Sequence, residues 1–79
     1  MNENVYNAVK SGRADNNIRF ADFTNLITDL KFDFKRQNGS HAIYFHEGIK
    51  EYMNIQPDGN KAKEYQVKQL RNIIKEYNL

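Results

Sequence analysis

His41 and His46 are the only two histidines in this 79-residue chain, and histidine is the side chain that most readily moves a proton near neutral pH. The chain has no cysteine. That excludes disulfides, thiolate-held zinc and a cysteine nucleophile together. The histidines lie five residues apart in one apolar-aromatic segment, Ser40-His41-Ala42-Ile43-Tyr44-Phe45-His46. An odd step along a strand reverses the face, so the two are expected to point to opposite sides of a sheet, which argues against a two-histidine metal site. No cofactor and no metal are expected. Ser40 and His41 are adjacent and would also point apart, so they are not a nucleophile–base pair of the triad kind.

A single histidine still suffices for one reaction class. RNA carries its own nucleophile, the 2′-hydroxyl. Scission needs a base for that proton, cations for the developing phosphorane charge and an acid for the leaving oxygen. His41 has the right chemistry for base or acid, and Lys35 and Arg36 just upstream could meet the charge. Gly39 would allow a phosphate close to the backbone, with Ser40 beside it. His46, Tyr44 or a lysine is the candidate for the second proton carrier. The plainer alternative is that Asn38-Gly39 is only a turn, His41 only a surface residue at a strand start, and the aromatics Phe34, Tyr44, Phe45 and Tyr52 only packing.

The elements that must hold these residues follow from periodicity. Residues 3–11 read as a short helix with Val5, Ala8 and Val9 on one stripe and Gly12 as its stop. A polar linker follows over 13–17. Phe20, Phe23, Ile27 and Leu30 mark an amphipathic helix over 20–30. Residues 32–37 then alternate apolar and polar, as a strand does, and Asn38-Gly39 predicts a two-residue type I′ hairpin. The return strand spans 40–46, Glu47-Gly48 makes a second turn, and a third strand runs over 51–56 until Pro57-Asp58-Gly59. From Glu64 to Tyr77, Val67, Leu70, Ile74 and Tyr77 recur at helical spacing. Lys68, Arg71 and Lys75 form a neighbouring basic stripe, a second candidate for phosphate contacts.

The expected architecture is α+β, in one domain spanning 1–79. Helix, three-stranded antiparallel sheet and helix make up its core (17–79), both helices on one sheet face, with residues 1–16 as an accessory helix and linker. His41, Ile43 and Phe45 share one parity, and Ala42, Tyr44 and His46 the other. Whichever set is buried decides whether His41 sits at the rim of the core or on the open face, and both placements stand at this level. Net charge is only +2, yet residues 61–79 hold five Lys/Arg against two Asp/Glu while residues 1–60 hold seven against eight. A basic final segment suits a polyanion, although a solvated helix face can carry as many lysines. No apolar run is long enough to span a bilayer, and the first residues lack a signal pattern, so a cytoplasmic protein without a membrane partner is expected.

The stretch from Lys35 to Tyr44, with a basic strand, a turn, Gly39-Ser40-His41 and an apolar-aromatic strand, resembles the central motif of the HicA family of small toxins. The helix carrying Leu26, Ile27 and Leu30 resembles that family's first helix, and the segment 66–74 its last, so the likeness covers roughly residues 18–77. It implies a fold like that of double-stranded-RNA-binding domains. It implies metal-independent cleavage of mRNA, neutralisation by a HicB-like antitoxin, and His41 as the catalytic residue. The chain departs from the family at Lys31, where a glycine is usual, and after the third strand, where the usual histidine is absent. A non-catalytic RNA-binding module and a protein-interaction domain are the alternatives.

Overall fold

The computed structural model describes all residues, 1–79. Helix α1 (Glu3–Ser11) starts at Asn2, whose Oδ1 accepts from the N–H groups of Asn4 and Val5, and ends at Gly12 in the left-handed conformation. Helix α2 (Phe20–Asp29) buries Phe23, Leu26 and Ile27. It closes with paired bonds from the Lys31 N–H to the Thr28 carbonyl (3.0 Å) and from the Phe32 N–H to the Ile27 carbonyl (3.1 Å), the Schellman arrangement. Lys31 adopts φ 79° there. The departure from glycine therefore leaves the backbone shape intact, at a cost of about 1–2 kcal/mol for a residue with a Cβ.

Strands β1 (Asp33–Asn38), β2 (His41–His46) and β3 (Glu51–Ile55) form one antiparallel sheet in the order β1-β2-β3. Helix α3 (Glu64–Tyr77) follows, giving the expected α-β-β-β-α order with α1 in front. Ala42, Tyr44 and His46 of β2, with Met53 and Ile55 of β3, face the helices. Val67, Leu70, Ile73 and Ile74 of α3 meet them from the other side. The Tyr44 parity is thus the buried one. Exposed Phe34 lies edge-on to Tyr44 at the margin of this same face.

Three expectations change. The first hairpin turns on Gly39-Ser40, not Asn38-Gly39, because Asn38 already pairs with His41. Only Gly39 has positive φ (63°), the sign pattern of a type II′ turn, which needs glycine at its first central position alone. Pro57 does not simply end the sheet. Two-residue strands β4 (Pro57–Asp58) and β5 (Lys61–Ala62) make a small ribbon. Residues 18–20 join it through Ala62 N–H to Ile18 carbonyl and Phe20 N–H to Asn60 carbonyl bonds, each 2.8 Å.

Nor is the first segment an accessory. Val9 is fully buried, Ala8 nearly so, and α1 packs on both α2 and α3. A core this small gains from every apolar residue it can enclose, and α1 supplies cover the two main helices lack.

Candidate functional site

With Tyr44 inside, His41, Ile43 and Phe45 line the sheet face turned away from the helices. On β3, Asn54 lies opposite Ile43 and Tyr52 opposite Phe45. His41 reaches diagonally across the strand pair, its Nδ1 3.0 Å from Oδ1 of Asn54. An amide oxygen only accepts, so Nδ1 carries the hydrogen and donates it. This fixes the ring and leaves Nε2, which has no partner within the protein, as the nitrogen able to take or give a proton.

Asn54 is itself held from behind. Gln66 of α3, only 1% exposed, donates from Nε2 to the Asn54 carbonyl (3.0 Å) and accepts at Oε1 from the Gln56 N–H (3.2 Å). Its amide thereby occupies the backbone groups at the outer edge of β3 as a further strand would. A buried amide so fully engaged anchors the strand that aims His41.

The two upstream cations reach the same face by an irregularity. The β1–β2 register steps from Phe34↔Tyr44 to Arg36↔Ile43, so Lys35 and Arg36 together oppose one residue. In a regular strand their side chains would diverge. The bulge lets both line an open depression of about 540 Å³ with Ile43, Phe45, Glu47, Tyr52 and Asn54. Neither forms a salt bridge; the protein's three ion pairs are Lys50–Glu47, Lys68–Glu64 and Arg71–Asp15. The Lys50 ammonium beside Glu47 holds that carboxyl below its ordinary range. Gly39 and Ser40 form the exposed hairpin tip next to His41. A Cβ at Gly39 would meet nothing within 4 Å, so its positive φ, not crowding, is what calls for glycine.

The α3 stripe is elsewhere. Lys68, Arg71 and Lys75 belong to the helix layer, with the sheet between them and His41. Arg71 is engaged on the inside: its guanidinium bonds both Asp15 carboxylate oxygens (2.8 and 2.9 Å) and the Val9 carbonyl (3.1 Å). The two side chains are only 16% and 11% exposed. The Arg71 hydrogen bond holds the Asp15 carboxyl below the usual carboxylate range, and the same bond pushes Arg71 up. Lys68 pairs with Glu64 at 3.5 Å on the surface, and Lys75 stays exposed near α1. This group does not join the His41 site, and Arg71 is a structural residue.

The suggested second proton carriers also change place. His46 faces the core, its Nδ1 accepting from the Gly48 and Ile49 N–H groups (3.0 and 3.3 Å) while its ring stands edge-on to Phe32. It ties down the loop between β2 and β3. A Cβ on Gly48 would come within 2.9 Å of that ring, which explains the glycine. Tyr44 points to the same core, and burial pushes its phenol above the ordinary value. Of the groups considered, lysines remain: Lys35 shares the face of His41 with Arg36, and Lys50 borders it, paired to Glu47 with its Nζ 5.9 Å from the centre of the Phe45 ring.

Asn54 and Gln66 were not singled out by sequence. Alternation placed Asn54 on a strand, but its pairing with His41 depends on register, and nothing marks one glutamine of a polar helix as buried. Comparisons with protein-family models, with curated proteins and with solved structures return no match for this chain. No helix is long and apolar enough to cross a membrane.

Proposed function

We propose that this protein is an RNA-cleaving enzyme, a toxin of the HicA kind acting on mRNA, with His41 as its catalytic residue. The observation that carries this is the His41–Asn54 hydrogen bond, which leaves Nε2 free on an open face beside two unpaired cations. The reaction that suits it is transesterification. His41 Nε2 takes the proton of a 2′-hydroxyl, the 2′-oxygen bonds to the adjacent phosphorus, and the bond to the 5′-oxygen breaks. Products are a 2′,3′-cyclic phosphate and a 5′-hydroxyl, the latter receiving a proton from an acid. Lys35 and Arg36 offset the charge that builds on the phosphorane oxygens. Asn54 orients the imidazole through its bond to Nδ1. A HicB-like antitoxin is the expected protein partner, and the cytoplasm the expected compartment.

The test pairs wild type with His41→Ala, following growth after induction, transcript integrity, and cleavage of a synthetic RNA in vitro. Growth arrest and cleavage should both vanish in the variant while its thermal unfolding stays that of wild type. An unimpaired variant, or a wild type that cleaves no RNA, removes the proposal.

A further inference from the structure

Phe45 and Tyr52 take no part in the proton transfers above. They lie directly opposite each other on β2 and β3, rings 4.4 Å apart at 45°. Tyr52 is 60% exposed, as are Met1 and Tyr65, but it alone of these lines the depression that holds Lys35 and Arg36. Cross-strand pairing accounts for their contact with one another, but not for the exposure of Tyr52 beside two cations that form no salt bridge.

We propose that Tyr52, backed by Phe45, is a base-stacking subsite, and that the open sheet face takes single-stranded RNA in preference to duplex. This rests on the RNA reading of the same face. Along β2, Phe45 lies four residues from His41, roughly 13 Å at strand rise, within reach of a few nucleotides of extended chain. Arg36, opposite Ile43, and Lys35 at the bulge border the path between them, where a sugar–phosphate backbone would run. An exposed aromatic flanked by cations is the combination that holds unpaired bases regardless of sequence.

A duplex fits this face badly. Its base faces are already stacked on one another, so none is available to Tyr52. Its regular A-form backbone also keeps the 2′-oxygen out of line with the bond that must break. The helix-borne cations that could grip a duplex instead are partly committed, Arg71 to Asp15 and Lys68 to Glu64.

The probe is a short labelled strand with 2′-O-methyl at every position, which cannot be cleaved, used alone and annealed to its complement. Binding to the full chain is followed by fluorescence anisotropy at fixed salt. The single strand should bind more tightly than the duplex. Tyr52→Ala should weaken single-strand binding about tenfold or more with duplex binding unchanged, and Tyr52→Trp should restore it. Thermal unfolding of Tyr52→Ala confirms folding, as expected for so exposed a side chain. Equal affinity for duplex, an unaffected Tyr52→Ala, or no binding of either probe overturns the subsite. Because the probe is uncleavable, its result is independent of whether wild type cuts an all-ribose strand in a His41-dependent way, which alone decides the catalytic proposal.

Discussion

The open face of the sheet and the outer side of α3 both carry cations, and they use them differently. On α3, the central member of the stripe, Arg71, is bound to Asp15 from 56 residues earlier and to the carbonyl of Val9. It clamps α1 and the following linker onto the helix layer. Gly12 belongs to that clamp: a Cβ there would come within 3.1 Å of the Arg71 guanidinium. On the sheet, Lys35 and Arg36 have no ion pair and lie on the face of a histidine whose ring is already aimed. A regular line of charge is therefore a poor guide to an available one. What counts is whether the fold brings an anion to meet it.

Several measurements would break or sharpen this contrast. The largest effect is expected at the sheet: His41→Ala should lower RNA cleavage by at least 10²-fold, the scale of a lost general base, with stability unchanged. Next comes the helix side. Arg71→Ala should destabilise the fold by about 2–3 kcal/mol, as hydrogen bonds to charged groups are lost and the Asp15 carboxylate is left unpaired. Measured by denaturant unfolding, that loss should leave the RNA affinity of the folded protein unaltered. Reduced affinity at full stability would instead make Arg71 an RNA contact.

A smaller change is expected for Lys35→Ala and Arg36→Ala. Each should weaken binding of RNA and lower the salt slope of log K by about 0.7 per cation removed, with thermal stability near that of wild type. An unchanged slope would separate these cations from any phosphate.

The smallest effect is a pH dependence. Asp15 is held below its ordinary pKa of 3.8 when folded. Its contribution to stability is present above that value and fades as pH falls below it, through the depressed folded value. The stability gap between wild type and Asp15→Asn should therefore be constant near neutrality and close on acidification below about pH 4. A gap that persists in strong acid would mean the Arg71–Asp15 pair is not its source.

Much of the fold was legible in the sequence because helices and strands announce themselves by period. The limits of α1 and α3 match those expected from the spacing of Val5, Ala8 and Val9 and of Val67, Leu70 and Ile74. The hairpin turn lies one residue beyond the Asn38-Gly39 pair that the sequence suggests, since both are turn formers and only pairing shows which two residues are free. The choice of core face was undecidable: Ile43 and Phe45 on one side of β2 are as apolar as Ala42 and Tyr44 on the other. The bulge at Lys35 was invisible for a related reason, because it exists only relative to β2.

Composition and periodicity by themselves determined an α+β chain with two main helices, a three-stranded meander and a short extra helix in front, and placed His41 beside a tight turn with cations upstream. Those are local properties, set by residues a few positions apart. Tertiary structure alone decided that His41 looks outward, that Asn54 and Gln66 hold it there, that a bulge gathers Lys35 and Arg36 beside it, and that Arg71 serves α1. Each depends on which distant segments share a surface. Burial of the apolar faces of α2 and α3 against one side of the sheet made that choice, and the other side was left uncovered.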